Sequence, residues 1–184
     1  LFLLLCNSLV FFSVECEAQK GAMQPTPPSQ IDTIKLDNYK ELIWQPSDNY
    51  FQSPGSIRIT MIDADTRLRT VIIADDAKGS PSGNIIIQGK VRLERETGTV
   101  TGRALTYRVP TRSGIILDAE ARLEQALLRG EKIEILENQE MKAIRSYFTT
   151  CIEDRPHYHI LARQITRNKF GNLAARNVTF YIGD

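Results

Sequence analysis

The amino-acid sequence predicts an all-β chain, arranged as an open, folded-over stack of antiparallel strand layers. Apolar and polar residues alternate from Ile85 to Leu93 and again from Ile115 to Leu123, which is the period of strands with one buried face. One strand–turn–strand unit cannot bury such a face alone, so a repeat of these units favours stacked layers over an immunoglobulin-like sandwich. The repeat is marked by small residues at strand centres, in pairs 13 positions apart, at Gly89 and Gly102, Gly130 and Ala143, and Ala162 and Ala175.

The first 54 residues carry no clean strand pattern. Residues 1–18 form an apolar run of signal-peptide length, too short to span a membrane, and are predicted to be an export signal that lacks its basic start. Residues 19–54 are predicted to be a linker, Pro-rich and polar as far as Gln30, followed by a poorly patterned segment with the only tryptophan, Trp44. The β domain is predicted to occupy residues 55–184.

The β domain begins with less regular strands. The alternation over Ser56–Ile62 predicts one strand, and Leu68–Ala74 is expected to be a second. The stretch Asp75–Gly83 is rich in Asp, Ser and Gly and is predicted to be a loop. An open stack leaves unpaired strand edges, and either of these two strands is expected to form the N-terminal edge.

The charge and motif content argues against several classes of protein. With 23 basic against 22 acidic residues, the total charge gives no reason to expect a nucleic-acid partner. The segment Met141–Ile182 holds seven basic and two acidic residues, a local excess of +5, which fits either a solvated β-face or contact with phosphates. The chain has no glycine-rich phosphate loop and no GxSxG or HExxH motif.

Cysteine and histidine residues are the remaining candidates for chemistry. The spacing of Cys151, His157 and His159 matches no common zinc framework. A Cys–His nucleophile would also need an orienting third group, which the sequence does not mark. We therefore predict no catalytic residue, no metal and no cofactor. If Cys6 and Cys16 are removed with the export signal, Cys151 is either a buried free thiol or a thiol whose partner lies outside this stretch.

The predicted strands present a continuous apolar face to the inside of the stack. Its side chains either fill the interior themselves or leave it open to acyl chains, for which each buried methylene contributes about 0.8 kcal/mol. Small residues at the strand centres would leave room for such a ligand. The candidate groove residues are Ile85, Ile87, Val91, Leu93, Leu105, Tyr107, Ile115, Leu117, Leu123, Ile133, Ile135, Ile165, Val178, Phe180 and Ile182.

The final 40 residues or so carry a family resemblance. The residues concerned are Tyr147, Thr149, Thr150, Cys151, Ala162, Ile165, Ala175, Arg176, Asn177, Val178 and Thr179. In this order they resemble the end of the periplasmic domain of the LPS-assembly outer-membrane protein family (LptD or OstA), within the OstA-like superfamily shared with LptA and LptC. The resemblance implies a β-jellyroll, or β-taco, with a greasy interior that binds lipopolysaccharide and catalyses no covalent step.

The resemblance also implies a location and partners. The chain is expected in the periplasm at the outer membrane, passing lipopolysaccharide to an outer-membrane β-barrel domain beyond Asp184. A plug lipoprotein of that barrel is a further candidate partner that the resemblance suggests. Its N-terminal edge is expected to add to a strand of a periplasmic bridge protein of the same fold, and Cys151 to form a disulfide with the barrel domain. The alternatives are a free-standing bridge protein of the LptA or LptC kind, a structural β-repeat of a surface protein, and a Cys–His enzyme.

Overall fold

The structure is a computed structural model that describes residues 31–64, 66–123, 125–137, 140–151, 153 and 155–183. The predicted export signal and the Pro-rich linker lie outside these residues. Within them the chain forms one turn of 3-10 helix, Pro46–Asp48, and no helix there is long and apolar enough to cross a bilayer. The strands are β1 (Ile31–Asp37), β2 (Ile43–Gln45), β3 (Tyr50–Asp63), β4 (Arg69–Gly79), β5 (Asn84–Arg95), β6 (Gly98–Arg108), β7 (Ser113–Leu123), β8 (Ala126–Ile135), β9 (Met141–Thr149), β10 (Tyr158–Arg167) and β11 (Leu173–Ile182).

These strands form one antiparallel sheet in which neighbours along the chain are paired. The order is β1–β3–β4–β5–β6–β7–β8–β9–β10–β11, and β2 pairs with the other half of β3. Successive antiparallel strands need only short connections, so the sheet is built hairpin by hairpin. The predicted all-β stack of antiparallel strands is confirmed.

Every second strand from β3 onward has a left-handed backbone residue near its middle. These residues have φ between 47° and 98°, and they are Gly55, Gly89, Asp118, Arg145 and Asn177. A residue of this kind, often within a bulge, interrupts the side-chain alternation and bends the strand. Bulges in the pairing of β3, β4, β5 and β6 fall at the same level. We call this line of bends the crease; it divides each strand into two arms.

The bends fold the sheet over until the two ends of the strands meet. Ile85 at the start of β5 pairs with Tyr107, whereas Arg95 is the last residue of β5. Ten residues of straight strand would separate these ends by roughly 33 Å. Instead, Arg95 Nη2 donates a hydrogen bond to the Tyr107 hydroxyl at 3.2 Å. We call the end of the sheet that holds Arg95 the upper end, and the end that holds Tyr107 the lower end.

The two arms enclose a single apolar core. Its fully buried members come from both arms of the sheet, for example Phe51 and Ile59 on β3 and Ile87 on β5. The small residues predicted at strand centres lie along the crease, where the arms converge. A side chain at Gly102 would overlap Ile116 Cγ2 on the neighbouring strand, and one at Gly130 would approach the Ile144 carbonyl oxygen at 3.1 Å.

The N-terminal third of the sheet differs from the sequence-based expectation. The predicted edge strand Ser56–Ile62 lies within β3, which is paired on both sides, and the edge is formed by β1 and β2 instead. The expected domain start at residue 55 therefore falls inside β3. The other candidate edge, Leu68–Ala74, belongs to β4 in the interior of the sheet. The predicted loop Asp75–Gly83 is also wrong over its first half, because β4 continues to Gly79.

Candidate functional site

Most of the predicted groove residues lie inside the folded sheet. Nine of them are buried, namely Ile85, Ile87, Val91, Leu93, Leu105, Tyr107, Ile133, Ile135 and Ile165. Leu123 is partly buried and packs against the same core. The structure thus brings these ten side chains together from both arms of strands β5 to β10.

Ile115 and Leu117 lie on the outer face of the sheet, so their predicted inward position is wrong. Their side chains are 41% and 38% exposed, while Ile116 between them is 0% exposed. The cause is the left-handed residue Asp118, at φ 48°, which shifts the alternation by one position. Below the crease the inward residue is therefore Ile116, and above it Ala119 continues the inward series.

Sequence reasoning also missed the part of the interior that β3 and β4 supply. Ile57, Ile59 and Met61 of β3 and Ile72 of β4 are fully buried in the same core. The alternation of the three β3 residues was visible in the sequence and indicated a strand. It could have added them to the inner face, because they alternate in the same way as the residues of β5.

Between β3 and β9 the inward-facing apolar side chains are buried in one core. At the C-terminal side the interior is open, because β11 pairs with β10 and no described strand follows it. Val178, Phe180 and Ile182 of β11 share the inner face with β10, yet they are 48%, 56% and 81% exposed. The Phe180 ring stacks on Tyr158 with 5.9 Å between ring centroids. The apolar core therefore continues into an exposed apolar strip along the last strand.

Opposite the crease, the upper and lower ends of the sheet meet in a polar contact that we call the mouth. Asp63 at the upper end forms an ion pair with Arg112 from the β6–β7 turn at the lower end. Arg95 Nη2 also donates a hydrogen bond to the Arg112 carbonyl oxygen at 3.1 Å. Burial raises the pKa of the adjacent Tyr107 hydroxyl, and the Arg95 charge opposes this rise. These contacts hold the two arms together over the N-terminal half of the sheet.

Cys151 lies in the loop after β9, partly exposed at the upper end. Thr149 fixes the start of this loop: its hydroxyl donates to the Tyr158 carbonyl oxygen at 2.7 Å and accepts from the Cys151 amide at 3.0 Å. Backbone hydrogen bonds from Glu153 and then His157 lower the pKa of the Cys151 thiol. The thiolate is the reactive form of cysteine, so this loop favours a reactive thiol rather than an inert buried one.

The two histidines occupy separate environments. Cys151 Sγ is 3.6 Å from His157 Nδ1, and His157 Nε2 is 3.6 Å from a Glu153 carboxylate oxygen. His159 instead lies on β10, with its ring stacked between Tyr147 and Tyr181 at centroid distances of 4.9 and 4.8 Å. Cysteine, histidine and the acidic residue could offer three metal ligands within 4.8 Å of one another, and the described residues supply no fourth ligand to this group.

Several basic residues of the C-terminal segment form ion pairs. Some are paired with acidic residues that precede this segment, such as Arg145 with Glu131 at 2.9 Å and Lys142 with Glu134 at 3.5 Å. These pairs fit the interpretation of a solvated β-face. Outside this segment, Arg103 of β6 pairs with Asp118 of β7 at 2.6 Å beside the crease on the outer face.

The fold of this chain resembles that of a known periplasmic protein. No protein-family model and no curated protein matches the sequence. Among solved structures, the fold is similar to LptH from Pseudomonas aeruginosa, described as the LptA homologous periplasmic component of the conserved lipopolysaccharide transport device, with a TM-score of 0.52. The match has 14% sequence identity and covers 87% of this chain and 100% of LptH. The chain has an LptA-like β-jellyroll fold.

Proposed function

We propose that this chain is a periplasmic lipopolysaccharide-binding and transfer domain. The observation that carries the proposal is the apolar interior, which runs through the folded sheet and emerges as the exposed strip Val178, Phe180 and Ile182. Acyl chains would occupy this apolar path while the attached sugars stay in water. Burial of several methylenes, at about 0.8 kcal/mol each, provides the binding energy without a covalent step. The fold shared with LptH supports this assignment.

Because the inward-facing apolar side chains between β3 and β9 are buried in one core, acyl chains can enter only where side chains give way or are absent. The strip on β11 is exposed already, so we expect it to contact lipid first. Interior residues such as Ile133 would join as the arms separate. The inner face can therefore serve both as a core and as a lipid site. Its side chains pack against one another in the absence of lipid, and acyl chains replace these contacts when lipid binds.

Site-specific photo-crosslinking tests the proposal. A crosslinking residue at Phe180, on the inner face of β11, should give adducts with lipopolysaccharide. Thr179 is the matched control, because it is the exposed neighbour on the outer face of the same strand. Leu117 provides a second outer-face control. Equal labelling at inner and outer positions would overturn the proposal.

We further propose that Cys151 forms a disulfide with an outer-membrane barrel domain of the same protein, which makes the chain the periplasmic part of an assembly translocon. The observation in favour is the partly exposed Cys151 with its lowered thiol pKa, because the thiolate is the form that attacks the disulfide of an oxidising exchange partner, which is reduced to thiols as the new disulfide forms. A free-standing bridge protein of the same fold is the alternative, and it would need no such bond.

The state of Cys151 in the native gene product distinguishes these alternatives. Non-reducing gels should show a mobility change on reduction that Cys151→Ser abolishes. In the reduced protein, alkylation of Cys151 should reach half its maximal rate at a pH below the usual thiol value of about 8.5. His157→Ala should keep most of this effect, since the largest cause is the backbone hydrogen bond from Glu153. An ordinary alkylation profile together with unchanged mobility would count against the disulfide.

A further inference from the structure

The mouth contains a small cavity with charged walls and an apolar floor. Its volume is about 70 Å³, several times the roughly 10–15 Å³ that one water molecule needs. Arg95 and Arg112 lie on its wall together with Asp63, and Ile31 and Met61 form part of its apolar surface. Glu96 and Glu137 lie at its exposed rim. The combination of guanidinium groups with apolar side chains suits a ligand that has an anionic head and a hydrocarbon tail.

The two oxygens of the Asp63 carboxylate have different roles. Oδ1 accepts hydrogen bonds from the amide and the hydroxyl of Thr66, at 2.5 and 2.6 Å, and these bonds shape the turn after β3. Oδ2 faces Arg112 across the mouth. In these contacts the turn uses one oxygen, and the ion pair that joins the two ends of the sheet uses the other. The second contact can be exchanged without loss of the first.

Both arginines are placed to accept another anion. The Arg112 side chain is 20% exposed, whereas that of Asp63 is 1% exposed, so a ligand in solvent reaches the guanidinium before it reaches the carboxylate. Arg95 Nε is buried and has no hydrogen-bond partner among the described residues. A guanidinium binds phosphate through two parallel hydrogen bonds, and a phosphate offers more acceptor oxygens than the single Asp63 oxygen that it would replace.

We infer that the mouth is a binding site for the phosphate group of an acylated lipid, which replaces Asp63 as the partner of Arg112. The inference rests on the proposed function and adds a headgroup site to it. Because the Asp63–Arg112 pair joins the upper and lower ends of the sheet, the exchange also releases one of the contacts that hold the arms together. The acyl chain of the same lipid then gains access to the apolar surface beside Met61.

The test compares three probes on the full chain by titration calorimetry: bisphosphorylated lipid A, the same lipid after removal of its phosphates, and inorganic phosphate. Asp63→Asn keeps the Oδ1 contacts with Thr66 and removes the competing charge, so it should tighten binding of phosphorylated lipid A by about tenfold. Arg112→Gln should weaken it by about tenfold or more and leave the dephosphorylated lipid unaffected. Arg103→Gln, which removes a cation from the outer face, is the control and should change neither affinity.

The outcomes separate this inference from the proposed function. If wild-type protein binds both lipids equally and Asp63→Asn changes neither, the headgroup site is wrong and the lipid-binding function stands. If it binds neither lipid, both proposals fail. Binding of inorganic phosphate alone would show an anion site without lipid and would also overturn the inference. Thermal unfolding checks the fold of each variant. If Arg112→Gln does not fold, Arg112→Lys replaces it. The lysine variant keeps the charge but loses the paired hydrogen bonds, so its loss of affinity for phosphorylated lipid A should be intermediate.

Discussion

Asp118 shows how a single residue decides which side chains line the interior. Its φ of 48° lies in the left-handed region, which Asp and Asn adopt more readily than most residues because their short polar side chains can bond locally. Above and below this residue the inward positions differ by one, so Ile116 and Ala119 both point inside. An alternation read straight through the sequence cannot contain this shift, which is why Ile115 and Leu117 were expected on the wrong face.

A substitution series at Asp118 tests whether this residue affects the free energy of unfolding through its backbone conformation or through its charge. Asp118→Val should lower the free energy of unfolding by about 1–2 kcal/mol, because a β-branched residue is strained at positive φ. Asp118→Asn removes the exposed ion pair with Arg103 but tolerates the conformation, so it should stay within about 0.5 kcal/mol of wild type. Urea unfolding measures both. A loss in the Asn variant as large as in the Val variant would assign the effect to the ion pair instead.

At the scale of the strand, β1 forms the N-terminal edge of the sheet, and it is the edge at which we expect a partner of the same fold to dock. It covers the upper half of β3, with Leu36 opposite Ile59, and its other side is unpaired among the described residues. Ile31, Ile34 and Leu36 of β1 pack against the core. Strand addition at β1 would extend both the hydrogen-bond ladder and the apolar inner face into the partner.

Proline substitutions at two successive β1 residues test this edge. In an antiparallel pair, neighbouring residues direct their amides alternately toward and away from the paired strand. Of Ile34→Pro and Lys35→Pro, one therefore removes an amide facing β3 and the other removes an amide facing the open side. The variant that loses the amide on the open side should lose binding to the bridge protein expected from the family resemblance, while its melting temperature stays near that of wild type. Pull-down and thermal unfolding measure the two effects, and unchanged binding in both variants would exclude β1 as the docking edge.

The extent to which the sequence predicts these strands depends on their place in the sheet. Strands β5 to β10 follow the predicted pattern of strand, turn and strand, because each has two paired neighbours and one buried face. Strand β11 follows the same pattern, although it pairs only with β10 and its residues are exposed. Strand β4 was cut short because Asp75 and Asp76 suggest a loop, whereas they lie at the crease, where Asp75 accepts a hydrogen bond from the Lys90 amide at 3.2 Å. The apolar residues of β1 do not follow a period of two, so nothing local indicated an edge strand.

The candidate site was predicted less fully than the fold. The inner apolar face follows from side-chain period, and ten of its fifteen expected members lie in or against the core. The mouth could not be predicted, because Asp63 and Arg112 are 49 positions apart in the sequence and meet only when every intervening strand bends at its middle. The lowered Cys151 pKa likewise depends on backbone groups of a loop, whose directions no sequence pattern specifies.

For the whole molecule, the exposed strip on β11 makes the C-terminal side the one most prone to association. An edge strand that is paired on one side only and exposes apolar residues is a site of edge-to-edge pairing. The purified chain should therefore self-associate as its concentration rises, and Phe180→Lys should keep it monomeric by placing a charge on the inner face of this edge. Thr179→Lys puts the same charge on the outer face and should have a smaller effect. Sedimentation velocity gives the readout; a monomeric wild-type chain at high concentration would contradict the prediction.

The position of the crease fixes a length that suits hydrocarbon. On β7 the upper arm runs from Asp118 to Leu123, and five residues of strand span roughly 17 Å, close to half of the ~30 Å hydrocarbon thickness of a bilayer. The folded sheet is therefore about as deep as one leaflet is thick. The length of the sheet across its strands does not depend on the crease. Each added hairpin increases that length by about 9–10 Å, which is two strand spacings. Under the proposed function, adding hairpins would lengthen the path of a lipid while the depth available to its tails stayed constant.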